Sequence, residues 1–396
     1  MERIVHGRVF LETLEGVRVI RAFNKQQHEI DRFGELNAET AEISRKSTLM
    51  TGAMYPTATA LFGFTTVGTM AVGTYYVATG SMQTGTLVSA VQYIATILIG
   101  IVLMANVVSL FPSAFACMSR IAEVLEAEVS ITDPKKETPA KTSRGTVEFR
   151  DVTFSYPGAD EPVIKNISFT SGPGETTAII GRTGCGKSSV VKLIPRLYDT
   201  TVGQVLVDGV NVRDYKQSEL RDAIGYVPQK NVLFTGDIAE NLNWGNENGT
   251  EEDWAEACRI SCSSEFVEGK DGVYHADVAQ GGTNFSGGQR QRLAIARAVM
   301  KKPEVYIFDD SFSALDMKTD KQLRQNLQES MGEATMIVVA QRVNTIMDAT
   351  RILVLENGEV TGMGTHLELL KSCQLYREIA EIQLGEEEVR RELASV

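Results

Sequence analysis

The chain has 396 residues and a formal net charge of −12, with a pI near 5.0. It is long enough for two or more separate cores, and its acidic balance excludes a broad basic surface for nucleic acid. Its five cysteines (Cys117, Cys185, Cys258, Cys262 and Cys373) are scattered, so neither a disulfide framework nor a paired-cysteine metal site is expected, and they read as reduced cytosolic thiols.

Glu2, Arg3, His6 and Arg8 interrupt the first residues, which excludes a signal peptide with an apolar core at this start. Residues 1–46 carry charge throughout and suit a solvated amphipathic helix. From Ser47 to Ser119 there is no Asp, Glu, Lys, Arg or His. One membrane crossing needs about 20 apolar residues, so this stretch predicts two, about 48–79 and 86–118, turning near Gly80-Ser81-Met82-Gln83-Thr84-Gly85. Arg45 and Lys46 flank one end and Arg120 the other, which places both ends in the cytoplasm. The first crossing is rich in Thr and Gly (Thr57, Thr59, Thr65, Thr66, Thr69, Gly63, Gly68), suited to helix contacts or a wet cavity.

A helical run, Ile121 to Ala127, gives way to the polar, Pro-containing Asp133-Pro134-Lys135-Lys136-Glu137-Thr138-Pro139. The expected organisation is therefore a helical membrane region over 1–126, a linker over 127–145, a nucleotide-binding domain over 146–385 and a polar tail over 386–396.

In the second domain, Thr177-Ala178-Ile179-Ile180 reads as a buried strand, and Gly181-Arg182-Thr183-Gly184-Cys185-Gly186-Lys187-Ser188 fits the phosphate-loop pattern, followed by Ser189 and a helix that Pro195 stops. The glycines let backbone N–H groups wrap phosphates, and the helix start adds a favourable dipole. Lys187 is placed for the β- and γ-phosphates of ATP and the Ser188 hydroxyl for Mg²⁺. Further on, Ser286 is a good N-cap for the helix opening at Gly287-Gly288-Gln289. Two glycines there cost helix stability, which a bare structural cap does not explain; they free N–H groups for an anion. Val305-Tyr306-Ile307-Phe308 and Thr335-Met336-Ile337-Val338-Val339 are continuous apolar runs typical of buried parallel strands. Their carboxyl ends, at Asp309-Asp310 and Ala340-Gln341, belong where such sheets bind ligands.

Phe285-Ser286-Gly287-Gly288-Gln289, lying between a phosphate loop and a strand ending in aspartate, resembles the signature of the ATP-binding cassette (ABC) family. The fold this implies is an α/β P-loop ATPase domain with a helical subdomain, preceded by a partial α-helical transmembrane domain. Gly16-Val17-Arg18-Val19-Ile20-Arg21-Ala22-Phe23-Asn24 resembles the end of a late transmembrane helix of an ABC exporter half, so the chain looks like a fragment beginning inside that domain. Residues 24–35 would then correspond to the second intracellular loop, whose short coupling helix contacts an ATPase domain. The resemblance further implies Tyr156 as the adenine-stacking aromatic, Gln229 as the Q-loop glutamine bridging Mg²⁺ and the transmembrane interface, and Asp309 as the Walker B aspartate. It gives Ser286 and Gly288 a contact to the γ-phosphate held by an opposite ATPase domain, and makes Ser313-Ala314-Leu315-Asp316 the D-loop.

Two positions depart from the family. Asp310 stands where the family has the glutamate that serves as general base, and Gln341 stands where it has the switch histidine. Gln donates a hydrogen bond but cannot become cationic. Together with Gln280-Gly281-Gly282 before the signature, these departures resemble the degenerate-site subunit of heterodimeric multidrug exporters. That implies a plasma-membrane exporter with a cytoplasmic ATPase domain, a second half-transporter as partner, and a hydrophobic small-molecule, lipid or peptide substrate. A non-transporting ABC ATPase and a regulatory ATP-binding fragment are the alternatives.

Overall fold

A computed structural model of the chain describes residues 2–134 and 144–394; most of the linker expected at 127–145 therefore lies outside the described residues. The chain divides into two compact units, 1–128 and 129–396.

The first unit is all helix: Glu2–Glu15, Val17–Ala22, Gln26–Ala78 and Thr84–Leu125. Residues 24–35, expected as an intracellular loop with a short coupling helix, span a turn in which Asn24 has a φ of 55° and the opening of the long helix Gln26–Ala78. No breaker separates the charged residues 26–46 from the apolar ones that follow, so one helix carries both. Among the described residues, Thr84–Leu125 is the one helix long and apolar enough to cross a membrane. The other expected crossing lies in the second half of Gln26–Ala78, where Thr, Gly and Tyr dilute the apolar residues. The hydroxyls of Thr57, Thr59 and Thr65 donate to the carbonyls of Ala53, Tyr55 and Leu61 at 2.7, 2.9 and 2.8 Å. They are thereby satisfied within their own helix, as an apolar setting requires. Large apolar side chains such as Phe64, Val67, Ile97 and Leu103 remain exposed on both helices.

The second unit is built on a sheet of six strands in the order Glu359–Gly364, Arg351–Glu356, Thr176–Gly181, Thr335–Val339, Val305–Asp309, Ile224–Val227. All neighbours are parallel except the first pair. Side chains alternate faces along a strand, and both faces of this sheet are covered. Tyr306, Phe308, Met336, Val338, Ile352 and Val354 enter one core, while Val305, Ile307, Ile337, Val339, Leu353 and Leu355 enter another. This is why these strands read as unbroken apolar runs. The second core is closed by an antiparallel sheet of Ile164–Ser171, Val147–Phe154, Val202–Val207 and Val210–Asn211. The first takes in the helices Glu251–Ile260 and Gly287–Met300.

Residues 386–396, expected as a polar tail, include a helix, Glu386–Ala394, whose Val389 is buried. His366 fastens it: Nε2 lies 2.9 Å from Glu392 Oε2, and Nδ1 lies 2.7 Å from the Tyr376 hydroxyl on helix Gln374–Leu384.

Candidate functional site

The carboxyl ends of four parallel strands converge. Thr176–Gly181 runs into the phosphate loop, Val305–Asp309 into Asp310, Thr335–Val339 into Ala340-Gln341, and Ile224–Val227 into Pro228-Gln229. The loop closes on Gly186, whose φ of 102° is left-handed; a Cβ there would meet Ile164 Cγ2 at 2.8 Å and the Val163 carbonyl at 3.0 Å. Only glycine fits. Helix Lys187–Leu193 begins at the next residue. Lys187 is buried, and its Nζ donates to the carbonyls of Gly181 and Arg182 at 2.8 and 2.9 Å, holding the cation across the loop.

Ser188 Oγ donates to Asp309 Oδ1 at 2.7 Å, and the Tyr226 hydroxyl donates to Asp309 Oδ2 at 3.3 Å. Burial, with the Asp309 charge beside it, pushes the Tyr226 phenol well above its ordinary range, so it stays a donor. Ser188 and Asp309 thus present hard oxygens side by side, the donor type that Mg²⁺ takes. Among the described residues, no group of three or more His, Cys, Asp or Glu gathers as a separate metal cluster.

Tyr156 is half-buried, with its hydroxyl 3.0 Å from Ser189 Oγ and its ring set edge-on to Phe154 and Tyr198, centroids 4.8 and 5.1 Å away. Arg182 is exposed and pairs with Glu378 at 3.8 Å. Thr183 and Gly184 lie exposed at the loop's tip. The Cys185 side chain points the other way: it is 7% exposed and packs into the core with Ile179 and Val190. Any contribution Cys185 makes to phosphate binding therefore comes from its backbone.

The two departures from the family pattern meet. Gln341 Nε2 donates to Asp310 Oδ2 at 2.7 Å, and Gln229 Nε2 donates to the same oxygen at 3.3 Å. Asp310 is buried, with a left-handed φ of 53° fixed by its N–H bond to the Val339 carbonyl at 3.0 Å. Burial raises its carboxyl above the usual carboxylate range and the Asp309 charge adds to this, while the two amide bonds and the Lys187 charge oppose it.

Ser286 caps helix Gly287–Met300 in a reciprocal box: its Oγ accepts from the Gln289 N–H at 3.2 Å, and Gln289 Oε1 accepts from the Ser286 N–H at 2.9 Å. Ser286 and Gly287 are exposed, and Gly288 lies so close to the D-loop that a Cβ would meet the Ala314 carbonyl at 3.2 Å. Gln280–Gly282 forms a short 3₁₀ turn just upstream.

Three residues escaped the sequence reading. Gln291 is buried in the signature helix, donating to the Asp310 carbonyl at 3.3 Å and accepting from the Ala314 N–H at 3.2 Å. It falls at helical spacing from Gly288 and Ala294, and a polar residue on that packed face was the signal. Arg342 donates to the carbonyls of Leu315 and Ser313 at 3.1 and 3.0 Å. Gln383, on helix Gln374–Leu384, brackets the switch loop through the Gln341 carbonyl and the Val343 N–H, both at 2.8 Å. Neither Arg342 nor Gln383 carries a local signal, because the partners are remote in sequence.

Residues 164–313 match the family described as ABC transporter, and residues 4–102 match the ABC transporter transmembrane region. The chain is 42% identical over 389 residues to an uncharacterised ABC transporter ATP-binding protein of Mycobacterium tuberculosis, covering 97% of this chain and 66% of that one. It is 34% identical to an ATP-dependent lipid A-core flippase of Xanthomonas oryzae pv. oryzae, covering 95% of this chain and 64% of that protein. Among solved structures it resembles a bacterial Atm1-family ABC exporter with ATP bound, with a TM-score of 0.86 at 27% identity, covering 97% of this chain and 69% of that one. The chain thus spans 64 to 66% of the length of these two curated relatives. It belongs to the ABC transporter family, joining a transmembrane region of that family to its ATPase domain.

Proposed function

We propose that the chain is one subunit of an ATP-driven exporter in the plasma membrane, its ATPase domain cytoplasmic. In this reading it binds Mg-ATP at a degenerate site and lends its signature segment to the competent site of a second, different half-transporter. The observation that carries the reading is the Asp310–Gln341 contact at 2.7 Å. A general base must offer an oxygen to the attacking water. Here the carboxylate is one methylene shorter than the family's glutamate, and Oδ2 already accepts from two amides. A displacement of about 1 Å costs roughly a hundredfold in rate, so this site holds nucleotide more readily than it turns it over.

Lys187 would meet the β- and γ-phosphates, and Ser188, Asp309 and Gln229 would hold Mg²⁺, which neutralises phosphate charge when bound. Tyr156 would stack on the adenine. Ser286 and Gly287 are exposed and Gly288 is half-buried. With the Ser286 N–H taken by Gln289 Oε1, the N–H groups of Gly287 and Gly288 would be the helix-terminal donors for a phosphate carried by the partner. The likeness to a lipid flippase supports a lipid or other hydrophobic substrate.

The test compares ATP binding and turnover of the purified chain. Mg-ATP is expected to bind, with binding lost in Lys187→Ala, while turnover stays slow until a partner half-transporter is added. Brisk turnover by the chain alone would sink the degenerate-site reading.

A further inference from the structure

Two side chains of helix Gln374–Leu384 reach the nucleotide site, Glu378 at the phosphate loop and Gln383 at the loop that follows strand Thr335–Val339. Gln383 is the penultimate residue of helix Gln374–Leu384. Its amide behaves as a peptide group would in a ladder, with Nε2 donating to the Gln341 carbonyl and Oε1 accepting from the Val343 N–H, both at 2.8 Å. The bracket straddles Arg342, whose guanidinium points to the D-loop carbonyls of Ser313 and Leu315. Residues 341–343 are thus held from two sides, and the only side chain they send to the Asp310 carboxylate is that of Gln341.

The helix is itself well anchored. Tyr376 is fully buried and bonded to His366, which bonds in turn to Glu392 on the last helix. Two residues after Tyr376, Glu378 pairs with Arg182 of the phosphate loop at 3.8 Å. That pair is exposed on both sides and contributes little. Gln383 is different: its two bonds satisfy one backbone donor and one backbone acceptor of the loop that aims Gln341.

We propose that Gln383 is a positioning residue, by which the C-terminal helix Gln374–Leu384 sets the Gln341 amide against Asp310. The inference rests on the reading of this site as one that binds and slowly hydrolyses Mg-ATP. Gln383 touches neither nucleotide nor Asp310; it acts through the backbone of the loop. Losing the bracket lets Gln341 drift, and Asp310 Oδ2 loses one of the two amides bonded to it.

The experiment uses the purified full chain in lipid nanodiscs, measuring KM and kcat for Mg-ATP for Gln383→Leu, with Ile382→Ala, an exposed neighbour on the same helix, as control. For Gln383→Leu, KM should stay within about twofold, because Lys187 and the phosphate loop are untouched. The kcat should rise about tenfold, because Asp310 Oδ2 is freed of one of the two amides that occupy it, a fraction of the hundredfold that a full 1 Å displacement brings. Ile382→Ala should match wild type in both. If Gln383→Leu does not fold, Gln383→Glu carries the test: it keeps the acceptor for Val343 N–H, loses the donor to the Gln341 carbonyl, and should raise kcat in the same sense. An unchanged kcat overturns the proposal, as does a fall in kcat, which would mean general damage. The wild-type rate alone tests the slow-site reading, whereas the ratio of variant to wild type tests the role of Gln383.

Discussion

Restoring the family's chemistry should restore speed, and the geometry says that one change is not enough. Asp310→Glu adds one methylene and carries the carboxyl roughly 1 Å further from the backbone, the displacement that costs about a hundredfold when it is wrong. Gln341 already sits 2.7 Å from Oδ2, so a longer side chain must first push that amide aside. The hydrogen bond lost in doing so is made to a carboxylate and is worth about 2 kcal/mol, against the roughly 2.7 kcal/mol that a hundredfold gain represents. Asp310→Glu alone is therefore expected to raise kcat only several-fold. Asp310→Glu with Gln341→His removes the blocking amide and supplies a group that can become cationic, and should approach the hundredfold gain. The assay is steady-state release of inorganic phosphate by the purified chain, with Lys187→Ala as background. A double variant no faster than wild type would refute the reasoning, because the slow step would then lie outside these two side chains.

Further expectations follow from the same geometry. Cys185 is buried in the core, so mass-spectrometric mapping should find almost no maleimide on it, with or without ATP. The Asp310 carboxyl has a folded-state pKa raised above its ordinary 3.8, so the folded state binds the proton more tightly than the unfolded state does. Its stabilising contribution is full below the unfolded value and is lost as pH rises through the folded one. Asp310→Asn should therefore raise the melting temperature at neutral pH, with the gain vanishing near pH 4 in differential scanning fluorimetry. Ending the chain at Gly385 removes the buried Val389 and takes the Glu392 partner from His366; burial of one such side chain is worth about 2 kcal/mol, so a drop on the order of 5 °C is expected.

The sequence announced the sheet and the loop it carries, because both are local patterns. The run Val305 to Phe308 is apolar throughout since neighbouring residues feed two different cores, and the phosphate loop needs glycine where Gly186 turns left-handed. The Ser286 cap was equally legible, its partner Gln289 being three residues away. Contacts that depend on how elements meet were not legible. Asp310 and Gln341 read as two separate departures, yet they share a hydrogen bond across adjacent strands. The inward turn of Cys185 is set by packing against the strand core, which a helix-start pattern does not encode. The helix Glu386–Ala394 reads as a polar tail because a single side chain, Val389, is buried along it.

The most direct test of the central claim is to measure ATP hydrolysis by the assembled complex with its partner half-transporter for three variants of this chain. If this chain lends its signature to the partner's competent site, a bulky or charged residue at Ser286 should lower hydrolysis by about a hundredfold or more. Lys187→Ala should cost less, acting only through nucleotide retention at the slow site, and Asp310→Asn should cost least. Abolished turnover in Asp310→Asn with tolerance at Ser286 would contradict the account and place the working catalytic site in this chain.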